Sequence, residues 1–177
     1  MKTPKRIKPL VEDGIVDEVI RPLMSGKEAD VFVVRCGDEI RCAKIYKEAD
    51  KRSFTQAAQY QEGRKVRNSR RARAMEKGSK FGRKQQEDAW HNAEVDALYR
   101  LADAGVRVPK PFGCFEGVLL MELVIDDEGQ VAPRLNDVSM DADQAREDHA
   151  VVVKDIVRML CAGLVHGDLS ELSLIHI

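Results

Sequence analysis

No two cysteines in this chain are spaced as C-x-x-C, although four are present, Cys36, Cys42, Cys114 and Cys161. Neither a zinc-knuckle pattern nor a disulfide framework is therefore indicated, and the cysteines read as reduced thiols of a cytoplasmic protein. No run of about 18 apolar residues occurs, so no membrane-spanning helix and no membrane partner is expected. The N-terminal M-K-T-P-K-R-I-K-P-L is basic but lacks the apolar core of a secretory signal. An excess of one charge sign is missing too: the formal net charge is -1 over 177 residues. The total thus argues for neither a nucleic-acid nor a membrane partner. No internal repeat is visible. What is present is enough length, and an apolar fraction of 44%, to build one domain with a real core.

Residues 1–17 are mostly polar and carry Pro4 and Pro9, which predicts a loosely ordered lead-in or a short helix. A short apolar run from Val19 to Met24 precedes the turn-like S-G-K-E-A-D (Ser25 to Asp30). Val31 to Val34 is β-branched and aromatic and reads as a strand. Gly37-Asp38 signals a hairpin, and Ile40 to Tyr46 is the return strand. Its alternation places Cys42, Lys44 and Tyr46 on one face, with Ala43 and Ile45 on the other. Between Arg64 and Lys84 lie ten basic residues opposed only by Glu76. That block belongs to a solvated, flexible insertion at about 51–86.

A strong helical period follows, with Trp90, Ala93, Ala97, Leu98, Leu101 and Ala104 on one stripe. Gly105 is placed to end it, and Pro109 and Pro111 forbid continuation. Val118 to Val124 reads as a buried strand. A last helix is expected from about Asp141 to Ala162, capped by Gly163, with Val153, Ile156, Val157 and Leu160 on one face.

Four places carry candidate chemistry. Lys44 is a lysine inside an apolar strand, which by itself fits an edge strand with a snorkelling side chain. Glu94 sits on the apolar stripe of its helix, where a carboxylate calls for a cation. Together they suggest an ion pair from strand to helix, the device by which a kinase lobe holds a lysine against ATP phosphates. In the S-G-K-E-A-D turn, Gly26 permits close backbone approach and Ser25 offers a hydroxyl to a phosphate. The turn is neither G-x-G-x-x-G nor a Walker A motif. Finally, His166-Gly167-Asp168 follows an apolar helix, the place where a phosphotransferase catalytic loop begins, with Asp168 receiving the proton of the attacking hydroxyl.

S-G-K-E-A-D-V-F (Ser25 to Phe32), A-K-I-Y-K (Ala43 to Lys47), W-x-x-x-E (Trp90 to Glu94) and L-V-H-G-D-L-S-E (Leu164 to Glu171) together resemble the RIO family of atypical serine/threonine protein kinases, its bacterial branch most of all. The resemblance implies an α+β fold. Its parts would be a kinase-like N-lobe with an antiparallel sheet and one main helix over 18–125, then the start of a C-lobe over 126–171. It implies ATP and magnesium as cofactors and an unidentified protein substrate. Ser25, Gly26 and Lys27 would lie in the phosphate-binding loop, with Lys44 holding the phosphates and Glu94 pairing with it. Val31 and Cys42 would line the adenine side, Met121 would be the gatekeeper, and Glu122 and Val124 would offer hinge backbone groups. Asp168 would be the catalytic aspartate.

The family pattern continues D-L-S-x-x-N, with the asparagine binding a metal ion. Here the position is Ser173, and the second metal-binding aspartate is not reached, so no metal ligand is assigned. The closing L-S-L-I-H-I matches what CTG-TCT-CTT-ATA-CAC-ATC encodes, a transposon end used as a sequencing adapter. Residues 172–177 are therefore expected to be an artefact and the chain a C-terminally truncated RIO kinase, with catalysis near background. Two rival readings stand beside it. One is a non-catalytic module binding RNA or the ribosome through 64–84. The other is a small-molecule phosphotransferase, against which the S-G-K-E-A turn argues.

Overall fold

The computed structural model describes residues 3–26, 29–47, 93–171 and 173–175. Lys27, Trp90 and the whole basic insertion, including Arg64 to Lys84, lie outside the described residues.

Five strands form one antiparallel sheet: β1 (Glu18–Ser25), β2 (Ala29–Cys36), β3 (Glu39–Tyr46), β4 (Pro111–Phe115) and β5 (Val118–Glu122), in the order β1-β2-β3-β5-β4. β2 and β3 pair without a slip from Ala29↔Tyr46 to Cys36↔Glu39. Gly37 and Asp38 are thus the two-residue loop that their sequence predicts. β1 carries Pro22 and two register irregularities against β2. It lies at the edge of the sheet, where a missing N–H does least harm. β4 is the other edge and starts on Pro111. The sequence did not foretell it as a strand, because five residues that include Pro111 and Gly113 show no usable period. Its pairing with β5, whose Val118, Leu119 and Leu120 are buried, makes it one.

The N-terminal stretch resolves into the short-helix alternative, α1 (Lys8–Glu12), with Pro9 in its first turn. It is also part of the core. Ile7 and Leu10 are 0% and 2% exposed, and they join Val16, Val34, Ala43, Val118 and Leu120 in one apolar cluster. Polar residues dominate the first 17 positions, but burial of those two side chains alone favours folding by roughly 1.5–3 kcal/mol each.

By its internal packing the chain divides into two compact units, residues 1–95 with 112–120, and residues 96–111 with 121–177. α2 (helical over 93–103 among the described residues, with 96–103 in the second unit) and α3 (Ala142–Cys161) both end on a glycine with positive φ, Gly105 at 75° and Gly163 at 71°. The N–H groups of Gly105 and Val106 return to Ala102 and Leu101, and those of Gly163 and Leu164 to Leu160 and Met159. These are the paired bonds of a Schellman stop. The two helices also close each other. Arg100 of α2 donates to the Ala162 carbonyl, and Arg158 of α3 donates to the Gly105 carbonyl at 3.0 Å. Asp141 caps the start of α3, its Oδ1 accepting from the N–H groups of Asp143 and Gln144 at 2.9 Å.

The inward face of α3 differs from the expected one. Met159 is buried, with Val152 and Ile156 half-buried beside it, whereas Val153, Val157 and Leu160 stand 43%, 53% and 55% exposed. Two adjacent stripes of this helix are apolar, so periodicity cannot choose between them and packing does. Among the described residues, no helix is long and apolar enough to cross a membrane.

Leu10→Ala tests whether the N-terminal residues belong to the core. Truncating a leucine this buried is expected to cost about 2–5 kcal/mol in urea unfolding. A detachable lead-in would show a cost near zero.

Candidate active site

The register of β2 on β3 sets Val31 opposite Lys44, Val33 opposite Cys42 and Ala29 opposite Tyr46. Residues directly opposite share a face. Val31, Cys42, Lys44 and Tyr46, spread over sixteen positions, are thereby gathered on one side of the sheet. Glu94, in the first turn of the described part of α2, reaches this surface. The Lys44 ammonium donates to Glu94 Oε1 at 2.5 Å, and the Tyr46 hydroxyl donates to Glu94 Oε2 at 2.6 Å. The Lys44 and Glu94 side chains are 27% and 26% exposed, enough solvent exclusion for their charges to act more strongly than on an open surface. The Lys44 nitrogen also lies 5.2 Å from the centroid of the Tyr46 ring, within cation–π range.

Tyr46 is the residue that the sequence reading placed on the right face without assigning it a task. It is 1% exposed, and Arg6 anchors its carbonyl at 3.0 Å. The signal was available: a phenol two positions after the lysine, on the same face, is within reach of any acid that pairs with that lysine.

Cys42 is buried beside them at 4% exposure. Burial pushes its thiol up to about 11, against the opposing pull of the Lys44 charge. It is thus a small apolar side chain at neutral pH rather than a nucleophile.

The turn after β1 is tied at its stem. Ser25 donates its hydroxyl to Asp30 Oδ1 at 2.5 Å, and the Gly26 N–H donates to the Ala29 carbonyl at 2.9 Å. Lys47 donates to the Gly26 carbonyl at 2.7 Å and pairs with Asp30 at 3.1 Å. Partial burial pushes the Asp30 carboxyl up, but the hydrogen bonds from Ser25 and Lys47 and the Lys47 charge outweigh it and hold the group below its ordinary value.

At the end of β5, Met121 and Glu122 are half-buried and Val124 is 8% exposed. The Glu122 carboxylate is gripped by both terminal nitrogens of Arg107, at 3.2 and 2.8 Å, and by the Lys110 N–H at 3.0 Å. Burial acts to raise its pKa, and these donors together bring it below the usual carboxylate value. The Glu122 N–H donates to the Lys110 carbonyl at 2.8 Å, and the Val124 carbonyl accepts from Ala132 at 3.1 Å.

Asp168 is exposed, and its N–H donates to His166 Nδ1 at 3.3 Å. Ser173 closes the turn that follows: its hydroxyl donates to the Ser170 carbonyl at 2.8 Å and accepts from the Ser170 N–H at 2.9 Å. Among the described residues no group of three or more histidine, cysteine, aspartate or glutamate side chains gathers to hold a metal ion.

A family profile described as RIO domain matches residues 30–176. This chain belongs to the RIO family. It is 40% identical over 170 residues to the RIO-type serine/threonine-protein kinase Rio1 of Haloferax volcanii, covering 94% of this chain and 53% of that protein. It is 27% identical to the serine/threonine-protein kinase rio1 of Schizosaccharomyces pombe, covering 94% of this chain and 32% of that one. The chain therefore spans about half, or less, of the length of these curated relatives. The fold matches that of the Rio2 kinase–ADP/Mg2+–phosphoaspartate complex from Chaetomium thermophilum. The TM-score is 0.65 and the identity 20%, over 99% of this chain and 50% of that one. The RIO fold is thus kinase-like and α+β.

Two measurements check this geometry in the RIO chain. Tyr46→Phe keeps the ring but leaves Glu94 Oε2 without its donor, and is expected to cost about 1–3 kcal/mol in urea unfolding. A loss below a few tenths would mean that the hydroxyl bond is absent in solution. In alkylation with iodoacetamide at neutral pH, the exposed Cys161 should react well before Cys42. The Cys42 rate should climb about tenfold per pH unit while the fold holds, since its thiolate is scarce below about 11. Equal rates for the two thiols at neutral pH would contradict its burial.

Proposed function

We propose that this RIO domain binds ATP against the β1–β3 face and passes the γ-phosphoryl group to a serine or threonine hydroxyl of a protein. The observation that carries the reading is the 2.5 Å ion pair between Lys44 and Glu94. A lysine ammonium in an apolar strand, held in one place by an acid from a helix, is a preorganised cation for phosphate oxygens. The family and its serine/threonine-kinase relatives support the same reading.

In this reading residues 18–125 make the nucleotide lobe and 126–171 lead to the catalytic loop. Ser25, Gly26 and Lys27 form the turn that faces the phosphates. Val31 and Cys42 pack against the adenine, with Met121 as gatekeeper. The Glu122 N–H and the Val124 carbonyl are engaged within the chain, so the adenine edge is assigned to the Glu122 carbonyl and the Val124 N–H. Asp168 orients the acceptor hydroxyl and takes its proton, a step that in other enzymes contributes about 10²–10⁴ in rate. Magnesium was expected to accompany ATP. It would supply positive charge against the phosphates when bound, and no step is routed through it. Contact with RNA or a ribosome through 64–84 rests on sequence charge alone, and a cytoplasmic location rests on the composition.

Isothermal titration of the 177-residue chain with ATP tests the reading. Lys44→Met is expected to weaken binding at least about tenfold, the loss of one charge-assisted contact, whereas Asp168→Asn should leave affinity within about threefold. The proposal fails if the wild-type chain takes up no heat of ATP binding, or if Lys44→Met binds as tightly as wild type.

A further inference from the structure

Ser25, Asp30 and Lys47 form a cluster that neither the ion pair nor the catalytic aspartate uses. Asp30 and Ile45 are opposite one another in the β2–β3 register, one position displaced from Val31 and Lys44. Since successive side chains of a strand alternate, Asp30 belongs to the face opposite the Lys44 ammonium. The Ser25 hydroxyl is committed to that side by its 2.5 Å bond to Asp30 Oδ1. Lys47, the first residue after β3, completes the cluster. Its ammonium donates to the Gly26 carbonyl at 2.7 Å, pairs with Asp30 at 3.1 Å, and lies 3.4 Å from Ser25 Oγ. One cation therefore holds both ends of the turn: the carbonyl of its second residue and the carboxylate of its last.

We infer that Ser25, Asp30 and Lys47 are a latch that fastens the phosphate turn from behind, so that Ser25 and Lys47 act as positioning residues and the Ser25 hydroxyl is not a phosphate ligand. The inference rests on the nucleotide reading for its consequence but not for its geometry. Without the latch, Ser25 and Gly26 would be spread over more conformations, so the nucleotide would bear the cost of ordering them. The pair itself is too exposed to matter much to the whole fold, with the Lys47 and Asp30 side chains 28% and 37% open to solvent. Its effect is local. The low-lying Asp30 carboxyl agrees with this arrangement, because a latch needs the carboxylate charged. The sequence reading, and the family resemblance, had instead given Ser25 to the phosphates. The two roles make opposite forecasts for a double substitution.

The experiment compares Ser25→Ala, Lys47→Met and the double variant with the wild-type chain, using two readouts. The first needs no nucleotide: hydrogen exchange of the Gly26 N–H, which donates to Ala29 inside the turn. Each single variant is expected to speed it by roughly tenfold, and the double by no more than either single, because both remove the same latch. The melting temperature should move by no more than about 2 °C. The second readout is ATP affinity in magnesium buffer. Each single should weaken it about three- to tenfold, again without adding in the double. Unchanged Gly26 exchange in both single variants overturns the latch. So does a double variant whose affinity loss is the product of the two singles, since Ser25 would then meet the phosphates independently of Lys47. A wild-type chain that binds no ATP overturns the nucleotide reading instead, and the exchange data alone then decide for or against the latch.

Discussion

The placement of one ion pair organises this molecule. A lysine in the middle of an apolar strand and a glutamate on the apolar stripe of a helix are each costly alone, since each would carry a charge out of water. Brought to 2.5 Å they satisfy one another, and Tyr46 supplies the second carboxylate oxygen with a donor. The strand therefore holds the acid by both oxygens from two residues on one face, which restricts the rotation that a single contact would leave open. The pair works only if β3 pairs with β2 in its observed register, which sets Lys44 and Tyr46 on the face that Glu94 meets. A one-residue slip of β3 would turn Lys44 into the core cluster and carry Ala43 out of it.

The opposite face of the sheet explains why the slip does not occur. Ala43 and Ile45 pack into a cluster with Val34, Val118, Leu120 and the N-terminal Ile7 and Leu10. The apolar cost of misregister fixes the polar geometry on the other side. The site is thus held from behind twice: by hydrophobic burial under β3, and by the Ser25–Asp30–Lys47 cluster under the turn that follows β1. In the second unit, order comes instead from helix ends. α2 and α3 each lend an arginine to the other's last carbonyls, which ties the stretch after Gly105 to the one after Gly163. Arg107 and Lys110, which follow Gly105, then grip the Glu122 carboxylate.

A good deal of this was legible from local chemistry. Gly37-Asp38 announced its hairpin, and Gly105 and Gly163 announced their helix stops, because each depends on backbone rules acting over a few residues. Alternation in Ile40–Tyr46 placed Cys42, Lys44 and Tyr46 together, and the odd chemistry of Lys44 and Glu94 in apolar surroundings marked them as partners fifty positions apart. β4 was missed because its identity as a strand is conferred by β5. The inward face of α3 was only partly foreseen: Ile156 is half-buried, but Val152 and Met159 join it in place of Val153, Val157 and Leu160, because the two neighbouring stripes are equally apolar.

By itself, then, the sequence determined where elements begin and end, which residues share a face, and which charges require partners, since these follow from short-range sterics and from the cost of burying charge. Only the tertiary structure decided how those partners are shared. It made Tyr46 the second holder of Glu94. It put the Ser25 hydroxyl on Asp30, drew the polar N-terminal stretch into the core through Ile7 and Leu10, and selected one of two apolar stripes on α3. Those outcomes depend on which surfaces meet in space, and distance along the chain carries no information about that.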